Sequence, residues 1–147
     1  MKKRVRVKFL DYGSDIPIVP FRISEDAVYF AILDTGSDTT IFDKTFVDKN
    51  KDLFADEGCV ITDVQGLHGV KAMDIDKVSS MISVGDITKP MLMLKVIGHV
   101  LDLSDINSHI HTYCDKSVNV SAVFGSDTFK AAKANIDYKN DELKIEL

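Results

Sequence analysis

The sequence predicts an all-β fold with one or two short helices, in a single domain that spans residues 1–147. Most apolar residues fall in short runs rich in Val, Ile and Phe, and turn residues such as Gly, Asp, Asn and Pro separate these runs. Helical spacing of apolar residues behind a capping residue is confined to short stretches. The length of 147 residues suits one domain with its own core.

The first strands follow from alternation and from apolar runs. Residues 5–9 alternate apolar with basic side chains, which predicts an amphipathic strand at the edge of a sheet. Residues 16–23 are apolar but include Pro17 and Pro20, so they predict an edge strand or an extended segment. Residues 28–33 form an apolar run that predicts a buried strand.

The central part of the chain predicts one short helix and two hairpins. Asp43 can cap a helix that ends near Lys51. Residues 60–64 and the strand after them flank a glycine-rich turn, which predicts a hairpin with an exposed tip. Residues 77–84 and 91–97 predict a second hairpin.

The C-terminal part predicts a helix, an apolar strand and a closing hairpin. Ser104 can cap a helix that ends near Cys114. Residues 118–124 predict a strand, and Ser126 marks the start of a further helix. The turn over residues 139–141 predicts the final hairpin.

A carboxylate follows the buried strand directly. Asp34 comes at the end of residues 28–33 and is followed by Thr35, Gly36 and Ser37. Gly36 permits a sharp turn and the close approach of other groups. The hydroxyls of Thr35 and Ser37 can hold the carboxylate by hydrogen bonds. The pattern therefore predicts a carboxylate at the mouth of the core, partly shielded from water.

The same four residue types recur near the C-terminus. Gly-Ser-Asp-Thr at positions 36–39 is repeated at positions 125–128, and each copy follows an apolar strand. Asp34 and Thr35 precede the first glycine, whereas Val123 and Phe124 precede Gly125. Both copies contain an Asp after the glycine, but only the first glycine also has an Asp before it, at position 34.

These motifs resemble those of one protease family. Asp-Thr-Gly-Ser at positions 34–37 resembles the active-site motif of aspartic peptidases, and Val123-Phe124-Gly125 resembles the second signature of retropepsin-like chains. The glycine-rich hairpin between them lies where such enzymes carry a flap over the substrate. The resemblance implies a retropepsin-like acid-protease barrel with a flap hairpin. It also implies that Asp34 is the catalytic residue and that Thr35, Gly36 and Ser37 support it.

The resemblance also implies a mechanism and an assembly. One chain supplies one Asp34, so a homodimer would bring two such carboxylates together at a twofold axis. Thr35 would bond across that axis, and Gly36 and Asp38 would line the main chain of a peptide or protein substrate. The flap tip would cover that substrate with Gly66, Leu67, His68 and Gly69.

Three features refine this expectation. Ser126 stands where retroviral relatives have an Arg that pairs with the Asp matching Asp38, so that ion pair cannot form here. A Ser37 hydroxyl that donates to Asp34 is expected to lower the first pKa of the pair. The C-terminal strand at 143–147 is expected to pair across the axis.

Composition excludes some partners, and alternatives to peptidase activity stay open. The net charge of −5 argues against nucleic acid or an anionic membrane as a partner, and the chain is expected to be cytoplasmic as given. The spacing of His109 and His111 on a helix does not suit a shared metal, so neither metal nor cofactor is predicted. A protease-like dimer that binds peptides without cleaving them is the main alternative, and an unrelated β-barrel is another.

Overall fold

The computed structural model describes residues 4–66, 69–85 and 90–146. In these ranges the chain forms mostly β-structure with three short α-helices. The strands are β1 (Arg4–Lys8), β2 (Ile18–Arg22), β3 (Tyr29–Leu33), β4 (Thr40–Asp43), β5 (Ala55–Gly66), β6 (Gly69–Gly85), β7 (Pro90–Leu101), β8 (Val120–Phe124), β9 (Ala134–Asp137) and β10 (Glu142–Glu146). The helices are α1 (Lys44–Lys49), α2 (Ser104–Tyr113) and α3 (Ser126–Ala132), and a 3-10 turn covers Lys51–Leu53.

Six strands close into a barrel in the order β2, β3, β8, β4, β7, β6, because β6 pairs back onto β2. β3 and β8 run parallel, as do β4 and β7, and the other neighbours in the barrel are antiparallel. β5 pairs with β6 outside the closed barrel. This all-β barrel confirms the fold class that the sequence predicts.

The prediction that residues 16–23 form an edge strand or an extended segment holds for only part of β2. β2 is buried and pairs with β3 along most of its length. It pairs with β6 only at Phe21 and Arg22, beyond Pro20. The missing N–H of Pro20 therefore falls where the second edge of the strand makes no ladder bond, and the barrel closes after it.

Aromatic side chains fill the centre of the barrel. Phe21 and Phe42 are fully buried, and the rings of Phe46 and Phe124 pack against Phe21 with centroids 5.8 and 5.4 Å away. Large rings remove much apolar surface from water, so this cluster contributes strongly to stability. A second cluster lies between α2 and the barrel, where Ile110 of the helix is buried against residues that include Val120 and Val123.

Two helices begin at carboxylates. The Asp43 carboxylate accepts a hydrogen bond from the Phe46 N–H, which confirms the predicted cap of α1. α2 begins at Ser104, but Asp102 accepts the Ser104 N–H at 2.8 Å, so Asp102 takes the role predicted for the Ser104 side chain.

Among the described residues, no helix combines the length and the apolar character that a bilayer crossing requires.

The two ends of the chain meet in a separate antiparallel sheet. β10 lies between β1 and β9, with ladder bonds to both. Val5, Leu143 and Ile145 from this sheet pack into the main core. The expectation that the C-terminal strand pairs across a dimer axis is therefore wrong, because both edges of β10 are filled by strands of its own chain.

A long hairpin extends from the barrel. β5 and β6 pair from Cys59 and Asp76 up to Gly66 and Gly69, and β6 continues without a break into the barrel wall. The turn that joins the two strands, residues 67–68, lies outside the described residues. The hairpin predicted at this point of the chain is present, and it is longer than the sequence indicates.

Candidate active site

The parallel pairing of β3 and β8 brings the two sequence motifs together. Leu33 is paired with Phe124, so both strands end at the same edge of the sheet. The loop that starts at Asp34 and the turn at Gly125, which joins β8 to α3, therefore leave the sheet side by side. The Asp34 N–H donates to the Phe124 carbonyl at 3.0 Å, which fixes the start of the first loop on the end of β8.

The Asp34 carboxylate is exposed and held by its own loop. Its Oδ1 accepts the Gly36 N–H at 3.0 Å, and its main-chain carbonyl accepts the Ser37 N–H at 3.2 Å. A Cβ at position 36 would lie 3.2 Å from Oδ1. Because glycine has no side chain, there is space for this hydrogen bond to form. The loop presents a carboxylate in a defined orientation at the surface of the chain.

The Ser37 hydroxyl does not support Asp34 as the sequence analysis expects. It donates to the Thr39 carbonyl at 2.8 Å and so bridges the loop further along. The expected hydrogen bond from the Ser37 hydroxyl to Asp34 is therefore not the one that the structure shows. Ser37 instead stabilises the backbone between Gly36 and Thr40.

The second motif packs directly on the first loop. The Ser126 N–H donates to the Ser37 carbonyl at 2.7 Å. A Cβ at position 125 would lie 2.5 Å from the Thr39 carbonyl oxygen and 2.7 Å from that of Ser37. Gly125 has ordinary extended backbone angles, φ −93° and ψ −176°, so glycine is needed there for space.

Gly125→Ala is expected to destabilise the chain. The added methyl group would press on main-chain atoms of residues 37 and 39, which cannot move aside as a flexible side chain can. Overpacking of this kind costs about 1–3 kcal/mol of the free energy of unfolding. Thermal unfolding of the variant measures the loss, and an unchanged melting temperature would contradict the close packing of the two loops.

Three residues of the site were missed by the sequence analysis. The fully buried Thr40 forms hydrogen bonds with Asp127 and Thr128, and its hydroxyl accepts the Gly125 N–H at 3.1 Å. The repeat of Gly-Ser-Asp-Thr marks both Asp127 and Thr128 in the sequence. That repeat indicates symmetry but does not indicate that its second copy binds Thr40.

The remaining predicted site residues differ in exposure, and two of them lie outside the described residues. Thr35 and Asp38 are exposed beside Asp34 in the loop. Gly66 and Gly69 form the last pair of the long hairpin, whereas Leu67 and His68 lie outside the described residues. Val123 and Phe124 are buried, so their role in the second motif is to pack the end of β8 into the core.

The base of the long hairpin is tied to the barrel through Glu57. The Ser79 hydroxyl donates to its carboxylate at 2.6 Å, and the Lys95 ammonium lies 3.5 Å away. The Ser79 bond and then the Lys95 charge hold the pKa of Glu57 below its usual value. A group with a lowered folded-state pKa stabilises the fold above its unfolded pKa and loses that effect as pH falls through the folded value. This link therefore persists at mildly acidic pH.

Two broad grooves of the single chain lie away from Asp34. One of about 490 Å³ is bordered by Phe30, Phe46 and Asn107, and one of about 580 Å³ by Asp48 and Val100 among others. Neither is lined by any residue of the Asp34 loop. These two grooves are therefore not part of the candidate active site.

Comparison of the coordinates with solved structures identifies the fold as retropepsin-like. The retroviral protease-like domain of Ddi1 from Leishmania major superposes with a TM-score of 0.55 at 18% identity, over 95% of this chain and 89% of that one. A retropepsin-like aspartic protease from Rickettsia conorii superposes with a TM-score of 0.53 at 12% identity, over 99% of this chain and 92% of that one. No protein-family model and no curated protein sequence matches the chain.

The two sequence motifs lie side by side in this retropepsin-like barrel. Asp34 directly follows β3, and Gly125 directly follows the parallel strand β8 beside it. The resemblance that the sequence suggests is thus confirmed at the level of the fold.

Proposed function

We propose that the chain is an aspartic endopeptidase that hydrolyses peptide bonds with a dyad made of Asp34 from each of two chains. The observation that carries the proposal is the exposed Asp34 carboxylate. A turn orients it through the Gly36 N–H, at the end of the strand beside the second motif. One oxygen of the carboxylate, Oδ1, accepts this hydrogen bond, and the other oxygen stays accessible. General base catalysis requires such an accessible oxygen.

The proposed chemistry needs one proton shared by two carboxylates. The ionised Asp34 takes a proton from a water molecule, which attacks the scissile carbonyl carbon. The protonated Asp34 of the second chain donates a hydrogen bond to the carbonyl oxygen as negative charge develops there. Two carboxylates at hydrogen-bond distance cannot both ionise readily, so they titrate as a pair and favour mildly acidic pH. The mechanism uses neither a metal nor a cofactor.

The neighbouring residues take supporting roles in this proposal. The exposed Thr35 hydroxyl bonds across the axis and fixes the separation of the two carboxylates. Gly36 and Asp38 line the main chain of the bound peptide. The hairpin of β5 and β6, with Gly66, Leu67, His68 and Gly69 at its tip, closes over the peptide and excludes water.

Peptide cleavage tests the proposal directly. The purified protein is incubated with a peptide library between mildly acidic and neutral pH, with and without EDTA, and new termini are identified by mass spectrometry. Cleavage that EDTA does not inhibit and that is fastest on the acidic side supports the dyad. Binding of peptides without any cleavage would support the alternative, a catalytically silent protease-like dimer. If the protein neither binds nor cleaves peptides, the proposed function fails and only the retropepsin-like fold remains.

The proposed flap predicts that glycines at the hairpin tip matter for turnover. Gly66→Ala combined with Gly69→Ala is expected to slow peptide cleavage, because alanine restricts the bending that closure requires. The melting temperature is expected to change little, since these residues end the hairpin far from the core. Cleavage assays and thermal unfolding of the same preparation separate the two effects. Unchanged cleavage by the double variant would remove this hairpin from the site.

A further inference from the structure

The buried Thr40 hydroxyl uses every hydrogen-bonding position that it has. It donates to Asp127 Oδ1 at 2.8 Å, and it accepts from the Gly125 N–H and from the Thr128 hydroxyl. A hydroxyl offers one proton and two lone pairs, so this arrangement is complete. The Thr40 N–H adds a bond to Asp127 Oδ2 at 3.1 Å. One carboxylate thus binds both the side chain and the main chain of Thr40.

Thr40 stands at the far end of the loop that begins at Asp34. The Asp34 N–H binds the Phe124 carbonyl at the start of this loop, and the Ser126 N–H binds the Ser37 carbonyl in its middle. The bonds from Asp127 to Thr40 fix its end. Consecutive residues from the end of β8 to the start of α3 therefore hold the loop at three points.

We propose that Asp127 and Thr40 are positioning residues for Asp34, an inference that rests on the proposed function. The dyad requires two carboxylates at hydrogen-bond distance, and each is carried by a loop rather than by a strand. A displacement of about 1 Å can cost roughly 10²-fold in rate. Asp127 binds Thr40, and it acts by fixing the point at which the loop joins β4.

Thr40→Val tests this role by removing the hydroxyl and keeping the volume of the side chain. We expect kcat for peptide cleavage to fall by about 10- to 100-fold, with KM changed by less than about twofold. Thr40→Ser restores the hydroxyl and is expected to recover most of the kcat. Loss of kcat in Thr40→Val without recovery in Thr40→Ser would overturn the assignment to the hydrogen bonds.

Asp127→Asn provides a second variant in case Thr40→Val does not fold. Asp127 is exposed, so the fold tolerates its substitution more readily. The amide keeps one acceptor oxygen and turns an N–H₂ group toward donors of Thr40. We expect kcat to fall in the same direction, and an unchanged kcat in this folded variant would overturn the proposal.

Ser80→Ala is the matched control for the loss of a buried hydroxyl. Ser80 is buried and donates to the Leu53 carbonyl at 2.8 Å, in the barrel wall. Its removal takes this hydrogen bond from the Leu53 carbonyl, so some stability is lost. We expect kcat of the folded Ser80→Ala protein to stay at the wild-type value. Equal losses of kcat in Ser80→Ala and Thr40→Val would show a general effect of stability.

Amide hydrogen exchange separates this proposal from the proposed function. In Thr40→Val the Asp34 and Ser126 amides, which form the contacts at the start and in the middle of the loop, are expected to exchange faster than in wild type and in Ser80→Ala. If wild type cleaves no peptide, the proposed function fails, and faster exchange still supports the positioning role. If wild type cleaves peptides and Thr40→Val has normal kcat and normal exchange, the positioning role fails and the peptidase stands.

Discussion

Asp34→Asn is expected to abolish peptide cleavage and to leave the fold intact. Asn is nearly isosteric, and its amide oxygen can still accept the Gly36 N–H that orients the side chain. It cannot take a proton from water, so both the base and the acid of the dyad are lost. General acid–base catalysis contributes roughly 10²- to 10⁴-fold, and the rate is expected to fall by at least this much.

The matched control for this substitution is Asp102→Asn. Asp102 is also exposed, and its Oδ1 also accepts a main-chain N–H two residues ahead, that of Ser104. The control therefore repeats the same chemical change in the same local geometry away from the motif. Cleavage at the wild-type rate is expected for Asp102→Asn. A folded Asp34→Asn protein that cleaves peptides as fast as wild type would show that Asp34 is not the catalytic residue.

Local pattern was enough to predict most elements of this fold. Alternation and apolar runs predicted strands that the structure confirms as β1, β3, β8 and the final hairpin. The cap at Asp43 was visible because its side chain acts on residues three positions away. Such features depend on near neighbours in the chain, so a sequence read alone contains the information they need.

Features that depend on distant neighbours were predicted less well. Pro20 suggested an edge, but the barrel closes just beyond it, which only the pairing of β2 with β6 reveals. The C-terminal strand suggested exchange between chains, but β1 comes from the other end of the sequence to fill its free edge. Ser37 pointed to Asp34 by proximity, yet its hydroxyl binds Thr39. In each case the tertiary structure determines the partner, because the sequence alone is compatible with more than one.

The three-stranded terminal sheet predicts that a subunit of the proposed dimer stays folded when the dimer dissociates. Both edges of β10 are filled within one chain, and the sheet packs on the core of that chain. A separated subunit therefore keeps its terminal strands in place. On dilution, activity per chain is expected to fall while the circular dichroism of the β-structure stays constant. Loss of both signals at the same concentration would contradict a subunit that folds alone.

Mixing two kinds of chain gives the sharpest test of a shared dyad. Wild type is equilibrated with a threefold excess of Asp34→Asn chains, and peptide cleavage is followed with time. Random pairing leaves only about one quarter of the wild-type chains with a wild-type partner, so activity should fall to roughly one quarter of that of the same wild type alone. A mixed dimer holds one Asp34, which cannot be base and acid at once.

Two controls make the mixing result decisive. Subunit exchange is first demonstrated by mass spectrometry of isotope-labelled and unlabelled chains, at the concentration used for the assay. The same excess of Asp102→Asn chains, which keep Asp34, is then expected to add activity instead of removing it. Because the terminal sheet is complete in each chain, subunit exchange does not require its strands to separate from one another. If activity follows the amount of wild type although exchange is proven, each chain acts alone. A dyad built from two Asp34 side chains would then be wrong.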